Sequence, residues 1–392
     1  MNVAGLFSGI GGLELPFARR GIHTSTLCDV WEPSRQVLAS RFPGVKIHAD
    51  ICELSELPAE ASVVTAGFPC TDLSQAGRMA GISGAQSSLV GHVFRLIKNH
   101  PLDWLVLENV RNMLVLDGGS AMAYLVTQLE TLGFRWAYRL VDTRFTGLPQ
   151  RRHRVLLVAS RTFDPREVLF ADNASEEERT DLRDDAYGFY WTEGLGGLGW
   201  ARDSVPPLKA GSTVGIPSPP AIWLRNAPVG RRIVVPSILD AEALQGFPRD
   251  WTAPARLPAK NGPRWKLVGN AVSVDVANWL VNRLQDPGSV LVPGKQLTRS
   301  GRWPQAASGY DGTVCVHEAS THPVLRPYVH LTDLLTMADA VPLSARATAG
   351  FLSRAARSTL TFDPEFLLDL SEHFKFVASH GQQNLPLTNH AA

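Results

Sequence analysis

A cysteine preceded by proline is the residue of this chain best placed to do covalent chemistry. Cys70 follows Pro69 in a loop of Gly, Pro and small polar residues (67–77), and the apolar run 61–66 before it is typical of a buried strand. In an open α/β sheet, ligands bind beyond the carboxyl ends of the strands, where this loop is expected. A cysteine at that place is well positioned to be a nucleophile. The alternative is a structural thiol, because free cysteines are often buried.

An acid and two arginines form a second candidate set. Glu108 directly follows the apolar strand predicted over 104–107, and such a position is liable to raise a carboxyl pKa, which suits an acid catalyst. The alternative is an ordinary capping glutamate. Arg152 and Arg154 alternate at strand spacing, so both side chains point to one face. That face is suited to a phosphate or a carbonyl oxygen, or it is only a solvated edge.

A glycine-rich turn, Gly-Ile-Gly-Gly at 9–12, follows the first predicted strand (2–7) and allows close approach of the backbone to a ligand. It lacks the spacing of the dinucleotide fingerprint, which favours a nucleoside without a pyrophosphate. Asp29 and Asp50 end the next two predicted strands, where carboxylates can accept from ribose hydroxyls and an adenine amino group, and Ile51 offers apolar contact. Either Asp is alternatively a cap or turn residue.

Strands and helices alternate through the first 160 residues, which predicts an α/β fold. Residues 160–235 are rich in Gly, Pro, Asp and short aromatic runs, which indicates a small, irregular second domain. Helical patterning then resumes, and Asp286-Pro287-Gly288 marks a boundary. The predicted domains are a core over 1–159, a second domain over 160–235, a return to the core over 236–286, and a partly helical C-terminal extension over 287–392 that braces the fold or an interface.

The composition is that of a globular protein: 392 residues, 44% hydrophobic, 19% charged, with a net charge of +1. Bulk charge therefore does not indicate a nucleic-acid partner. Arginines nevertheless cluster locally, at 144–154 and at Arg225, Arg231 and Arg232, and arginine suits bidentate contacts with phosphates and base edges. The alternative is that arginine richness reflects a GC-rich genome.

The four cysteines (28, 52, 70 and 315) have neither metal-ligand nor disulfide spacing, which fits a reducing compartment. Cys315, His317 and His322 are too irregularly spaced for a metal site, so no metal is expected. No apolar run reaches 18 residues and no basic segment precedes the first strand, which favours a cytoplasmic protein without membrane contact.

Taken in order, these motifs resemble those of the DNA cytosine-5-methyltransferase family over about residues 1–285. The motifs that carry the resemblance are Phe7-Ser8-Gly9-Ile10-Gly11-Gly12, Asp29, Asp50-Ile51, Pro69-Cys70, Glu108-Asn109-Val110, Gln150-x-Arg152-x-Arg154, Gln245-Gly246-Phe247-Pro248 and Gly269-Asn270-Ala271-Val272. The resemblance implies a Rossmann-like S-adenosylmethionine-dependent methyltransferase sheet with a target recognition domain at 160–235. It also implies methyl transfer from S-adenosylmethionine to C5 of a flipped-out cytosine in a specific double-stranded DNA sequence.

The resemblance assigns roles to individual residues. Cys70 would add to C6 of the cytosine, Glu108 would bind N3, and Arg154, with Arg152, would hold O2. The expected cofactor contacts are Phe7, Gly9, Ile10, Gly11, Gly12, Asp29, Asp50, Ile51, Pro69, Asn270 and Ala271, and the expected DNA contacts are Ser74, Gln150, Arg225, Arg231 and Arg232.

Two places depart from the family pattern. Gly5 stands where an Asp usually precedes the Leu-Phe of the turn, so one polar cofactor contact is missing or supplied elsewhere. Thr71 and Asp72 follow Cys70 where Gln is the usual next residue, which bears on how the loop grips DNA.

Three other functions compete with this interpretation. A tRNA cytosine-5 methyltransferase would share the core, but its Cys-Phe-Thr signature is absent and a long second domain intervenes. An inactive DNA-binding homologue would typically lack Pro-Cys or Glu-Asn-Val, and both are present. The glycine spacing disfavours an NAD-dependent enzyme. Without an N-terminal regulatory domain, the chain is expected to be a prokaryotic or phage enzyme, a monomer or weak dimer, and either an orphan methylase or the partner of a restriction endonuclease.

Overall fold

The structure, a computed structural model, describes residues 1–69, 89–175, 179–209, 219–255, 262–297 and 302–380. The predicted nucleophile Cys70, the departures at Thr71 and Asp72, and the predicted DNA contact Ser74 lie outside the described residues.

The strands of the described residues form two sheets. They are β1 (Val3–Leu6), β2 (Thr24–Cys28), β3 (Lys46–His48), β4 (Val63–Ala66), β5 (Trp104–Val110), β6 (Arg135–Asp142), β7 (His153–Ser160), β8 (Ala186–Phe189), β9 (Ala201–Arg202), β10 (Ala221–Leu224), β11 (Ile233–Val235), β12 (Gly294–Gln296), β13 (Ala306–Tyr310), β14 (Thr313–His317) and β15 (Val341–Pro342).

The helices pack on these sheets. They are α1 (Leu15–Arg19), α2 (Glu32–Arg41), α3 (Leu89–Ile97), α4 (Ser120–Thr131), α5 (Arg166–Leu169), α6 (Ile238–Leu244), α7 (Gly262–Asn270), α8 (Val274–Gln285), α9 (Leu331–Leu334), α10 (Ala345–Ala355) and α11 (Pro364–His380). Within the described ranges, no helix has the length and apolarity that crossing a bilayer requires.

The chain divides into two compact units, and each is built from more than one stretch of sequence. The first unit comprises Met1–Thr146, Arg152–Arg179 and Ala271–Arg326, and the second comprises Gly147–Arg151, Thr180–Asn270 and Pro327–Ala392.

The first unit contains a sheet whose order, among the described strands, is β12-β14-β13-β6-β7-β5-β4-β1-β2-β3. Strands β1 to β5 are parallel. β7 runs antiparallel to β5, and β6 runs antiparallel to β7 and therefore in the direction of β1 to β5. Helices α3 and α4 cover one face, and α1, α5 and α8 cover the other. Because both faces are covered, β1 and β4 are buried at every residue. The α/β fold predicted from the alternating pattern is confirmed.

The chain order of the strands reverses beside β1, since β2 and β3 lie to one side of it and β4 and β5 to the other. Such a switch point opens a crevice at the carboxyl ends of the strands, where ligands bind in open α/β sheets. The residues expected to do chemistry follow these strand ends.

The segment 287–326 contributes strands to the first sheet. β13 pairs with β6 in antiparallel register, with Ala306 opposite Arg139, and β14 and β12 extend the sheet beyond it. This addition covers the open backbone edge that β6 would otherwise present.

The second unit contains an antiparallel sheet of order β15-β11-β10-β8-β9 among the described strands. The tail helices α10 and α11 pack on it through aromatic side chains. Residues of α6 and α7 are buried with this sheet as well, so the chain re-enters the first unit at Ala271, whereas the sequence placed that return at residue 236. The difference arises because Leu244 and Val268 bury their side chains in this unit.

Phe366 of α11 connects the tail to the second sheet. Its ring is buried 5.0 Å from the ring of Phe189, 5.0 Å from Trp200 and 5.5 Å from Trp223, measured between centroids. Phe366→Ala is expected to cost about 3–5 kcal/mol of unfolding free energy through lost burial and a residual cavity. Leu368→Ala, on the same helix but 59% exposed, is the matched control and should change stability by less than about 0.5 kcal/mol. Urea and thermal unfolding measure both, and equal effects would contradict this packing.

Candidate active site

The carboxyl ends of three neighbouring strands coincide at one edge of the first unit. Leu6 of β1 lies opposite Ala66 of β4, and Ala66 lies opposite Leu107 of β5. The glycine-rich turn leaves β1 and the stem Gly67-Phe68-Pro69 leaves β4, whereas Glu108 follows Leu107 within the last part of β5. Register alone therefore brings together three motifs that are far apart in the sequence.

The glycine-rich turn has an unusual backbone. Phe7, Gly9 and Gly11 adopt positive φ angles of 54°, 56° and 81°. A side chain at residue 11 would collide with the ring of Phe42, so only glycine fits there. Positive φ at a phenylalanine is strained, and such strain is typical of functional sites. The Ser8 amide donates to Cys28 O (3.0 Å), which fastens the turn to β2.

Asp29, at the end of β2, joins this turn through hydrogen bonds. The Gly9 amide donates to Asp29 Oδ2 and the Trp31 amide to Oδ1, each at 2.9 Å. Burial raises the pKa of the Asp29 carboxyl, and these two amides oppose that rise. The turn and the carboxylate thus form one polar cradle at the end of β1 and β2.

Val30 was not selected by the sequence analysis, yet the structure leaves this apolar side chain 74% exposed beside Asp29. An exposed valine next to a partly buried carboxylate suits a ligand with both polar hydroxyls and an apolar ring. The signal that could have found it is the apolar residue directly after a strand-ending acid.

Asp50 and Ile51 have local contacts. Asp50 accepts a hydrogen bond from the Cys52 amide at 2.8 Å, and that bond is the main cause of the lowered pKa of Asp50. Ile51 is buried in the core of the first unit. The turn role, left open from the sequence, is therefore occupied by Asp50, and the predicted adenine contacts stay predictions.

Glu108 and Arg154 form an ion pair at the same edge. Arg154 Nε lies 2.7 Å from Glu108 Oε1, and both side chains are largely buried. A Cβ atom at Gly67 would lie 3.5 Å from Glu108 Oε2 and 3.9 Å from Phe7 O, which is ordinary contact distance. The Glu108 carboxylate therefore lies beside the turn and beside the stem that leads to Cys70.

Asn109 fixes that stem. Its Nδ2 donates to Phe68 O at 3.0 Å, and its Oδ1 accepts from the Val110 amide at 2.8 Å. Asn109 is buried, so both bonds lie away from water. The sequence analysis quoted Asn109 within a motif and gave it no role.

Arg152 has a different environment from Arg154. It is fully buried, its guanidinium donates to Ala271 O at 2.8 Å, and its own carbonyl accepts from the Thr143 amide at 2.9 Å. Arg152 thus ties the start of β7 to the segment that enters α8, whereas Arg154 contacts Glu108.

Ile10, Gly12, Pro69 and Ala271 lie in the first unit, whereas Gln150, Asn270 and the three clustered arginines lie in the second unit. Gln150 is fully buried and donates to Leu244 O at 2.8 Å, and Asn270 is exposed at the end of α7. Each of the three arginines contacts a residue of the C-terminal segment after 287. Arg225 pairs with Glu365, and also with Asp184 at 2.6 Å. Arg231 donates to Met337 O at 2.9 Å, and Arg232 pairs with Asp369 and, at 3.0 Å, with Glu372.

Among the residues that the structure describes, no group of three or more His, Cys, Asp or Glu side chains is arranged to hold a metal ion.

Comparison with known proteins identifies the family. The profile of the family described as C-5 cytosine-specific DNA methylase matches residues 1–187. The chain is 46% identical over 386 residues to the type II methyltransferase M2.BsuMI of Bacillus subtilis, a match that spans 94% of this chain and 97% of that protein. The chain belongs to the C-5 cytosine-specific DNA methylase family. The methylase is therefore a DNA cytosine-5-methyltransferase, and its family uses S-adenosylmethionine as the methyl donor.

One further relative and one solved structure are also similar. The type II methyltransferase M.BsuFI of Bacillus subtilis is 31% identical to the methylase over 155 residues, which covers 39% of this chain and 37% of that protein. A crystal structure of the S. pombe Dnmt2 methyltransferase superposes with a TM-score of 0.54 at 15% identity, covering 73% of this chain and 98% of that one. The latter likeness shows a shared fold.

The methylase's cradle fits its cofactor chemically. Asp29 offers carboxylate oxygens for ribose hydroxyls, Val30 offers an apolar surface for a ring, and the turn lets backbone approach closely. In addition, Glu14 Oε2 and Ser8 Oγ are buried with no hydrogen-bond partner among the described residues.

Asn109→Ala is expected to lower kcat of the methylase by about ten- to a hundredfold, because the lost hydrogen bonds of about 1–3 kcal/mol release the stem of the Cys70 loop. Affinity for S-adenosylhomocysteine should stay within about twofold, since Asp29 and the glycine-rich turn are held by other bonds. Single-turnover kinetics test the expected loss of rate, and calorimetry tests the unchanged affinity for S-adenosylhomocysteine. An unchanged kcat, or equal losses in kcat and cofactor affinity, would show that Asn109 does not act through the stem.

Proposed function

We propose that the methylase transfers a methyl group from S-adenosylmethionine to C5 of a flipped-out cytosine in a specific duplex sequence, with Cys70 as covalent nucleophile. The observation that carries this proposal is the Glu108–Arg154 pair beside the Gly67 stem, which leaves β4. The glycine-rich turn leaves β1, the next strand of the sheet, and is hydrogen-bonded to Asp29. An acid, a cation and a polar cradle thus lie at one sheet edge, next to the segment that leads to the cysteine.

The chemistry explains why a thiol is needed there. C5 of cytosine is too weak a nucleophile to take a methyl group directly. Addition of the Cys70 thiolate to C6 forms a C–S bond and gives an enamine whose C5 attacks an electrophilic methyl group. Loss of the C5 proton then expels Cys70 and restores the ring. S-adenosylmethionine, when bound, supplies that methyl group on its sulfonium.

Glu108 and Arg154 are proposed to bind the polar edge of the flipped base. Electron density from the thiolate accumulates on N3 and O2, so a proton shared between Glu108 and N3 would stabilise the adduct. Arg154, already 2.7 Å from Glu108, would orient that carboxyl group and hold O2. The contact of Arg152 with Ala271 O favours a supporting role for Arg152.

The cofactor residues are proposed in the same way. Asp29 would accept hydrogen bonds from the ribose hydroxyls, and Val30 would pack on the adenine ring. The backbone from Phe7 to Gly12 would approach the methionine portion. Flipping the cytosine out of the duplex would cost a few kcal/mol of unstacking, which contacts in the pocket must offset.

Target selection is proposed for the second unit. Its irregular composition and its separate core support a recognition role, and the 46% identity to a type II methyltransferase supports a place in a restriction–modification system. Arg225, Arg231 and Arg232 stay predicted DNA contacts. Their bonds to acidic residues and carbonyls of the same unit are an alternative reason for their clustering.

Duplex DNA carrying 5-fluorocytosine at the target tests the nucleophile, because fluorine at C5 blocks release of the enzyme. Wild-type protein with S-adenosylmethionine should form a complex that survives denaturing electrophoresis, and Cys70→Ala should form none. Cys28→Ala, at a buried thiol, is the matched control and should still be trapped. Trapping by Cys70→Ala would exclude Cys70 as the nucleophile.

Substitutions of Arg225 and of its partner Glu365 distinguish a contact with a DNA base from a contact that only stabilises the fold. If Arg225 reads a base, Arg225→Ala should relax one position of the target at a cost of about 1–3 kcal/mol, while Glu365→Ala leaves the target unchanged. Sequencing of methylated cytosines in a host that expresses each variant measures this. If both substitutions change only thermal stability, Arg225 braces the tail and does not contact a base.

A further inference from the structure

Gly5, in the middle of the site, leaves a niche that two other residues fill. A Cβ atom at position 5 would lie 2.5 Å from Glu14 Oε1 and 2.6 Å from Ser8 Oγ. No side chain fits there without displacing one of them. The carboxyl group of Glu14 therefore occupies the space into which a side chain from β1 would project, directly behind the glycine-rich turn.

The two polar groups in this niche are incompletely bonded. Thr65 Oγ1 donates to Glu14 Oε1 at 2.7 Å, but Glu14 Oε2 and Ser8 Oγ are buried without a hydrogen-bond partner in the described part of the chain. Buried polar atoms in folded proteins nearly always have partners, and an exception needs an explanation. A carboxylate and a hydroxyl together favour a cationic donor.

The electrostatic environment of Glu14 makes the charge of its carboxyl group depend on pH. Complete burial raises the pKa of Glu14 to about 7, and the charge of Asp29, the titratable neighbour that acts on it among the described residues, adds to the rise. Glu14 therefore changes charge near neutral pH. A cation bound nearby would favour the carboxylate form.

We propose that Glu14, acting with Ser8, is the anionic group that positions the cationic methionine portion of the methyl donor over β1. In this chain the carboxyl group reaches the niche from the segment before α1, since strand position 5 is glycine. This inference rests on the proposed function. Ser8 is the member of the pair nearer the surface, and Glu14 acts from behind it as a positioning residue.

Glu14→Gln keeps the size of the side chain and removes its charge. Calorimetry with S-adenosylmethionine should show about tenfold weaker binding than wild type at pH 8, the value expected for loss of a charge-assisted contact. Wild-type affinity should rise several-fold between pH 6 and pH 8 as Glu14 ionises, and this step should be absent from the variant. The melting temperature of the variant at pH 8 should be unchanged or higher, because a buried carboxylate is costly above its pKa.

Two related ligands show which positive charge of S-adenosylmethionine depends on Glu14. S-adenosylhomocysteine keeps the ammonium group and lacks the sulfonium charge, so equal sensitivity to Glu14→Gln would assign the contact to the ammonium group. 5′-Methylthioadenosine has neither charge and should bind wild type and variant equally. Equal weakening of 5′-methylthioadenosine would overturn the inference.

Placing a carboxyl group on β1, at position 5, in a variant that lacks the Glu14 carboxyl group gives a second test. Glu14→Ala should weaken binding, and the double variant Gly5→Asp/Glu14→Ala should recover most of it, since the aspartate enters the vacated niche once Ser8 rotates. Gly5→Asn/Glu14→Ala is the matched neutral control and should not recover binding. Recovery by asparagine would mean that the niche needs volume and not charge, and the inference would be wrong.

Failure of this inference differs from failure of the proposed function. If wild type binds no S-adenosylmethionine, the proposed function fails. If wild type binds it and all Glu14 variants match wild type across pH, only the role of Glu14 fails. If Glu14 behaves as described but no Cys70 adduct forms, the cofactor site stands without the proposed covalent step.

Discussion

The in-register ends of β1, β4 and β5 are the constraint on which the rest of the site depends. The register of these parallel strands brings the segments beyond Leu6, Ala66 and Leu107 to one edge of the sheet, and the reversal of strand order beside β1 opens a crevice there. The glycine-rich turn, the Gly67 stem and Glu108 are consequences of this register. A slip of β5 by one residue would turn Glu108 to the opposite face and separate it from Arg154.

Buried charge gives this edge its chemical character. Glu108 is paired with Arg154, Asp29 is bonded to two amides, and Glu14 is fully buried with one oxygen unpartnered in the described chain. Each carboxyl group thus sees a different environment within one layer of strand ends. Burial raises the pKa of Glu14 to about 7. Glu108 lies 2.7 Å from the Nε atom of Arg154. Different environments let similar groups perform different tasks.

The described residues after 287 belong to the two folded units and not to an appendage. β12, β13 and β14 continue the sheet of the first unit from β6, and α9, α10 and α11 are buried within the second unit. The arginines of the connection between β10 and β11 contact α11 through ion pairs and the carbonyl oxygen of Met337 through a hydrogen bond. Clustering of arginine in a sequence is therefore compatible with internal bracing as well as with DNA binding.

The sequence by itself determined the local patterns: the five parallel strands of the first sheet, the turn at 9–12, and the identity of Glu108 and Arg154 as candidates. These follow from short-range rules of apolar alternation, glycine placement and strand-ending acids, which neighbours along the chain decide. Only the tertiary structure decided that Arg154 contacts Glu108 and Arg152 contacts Ala271 O, that Val30 is exposed, and that Glu14 fills the niche at Gly5. It also decided where 236–326 packs. These facts depend on contacts between residues far apart in the chain, because strand register and burial are set by the whole sheet and leave no signal in any single segment.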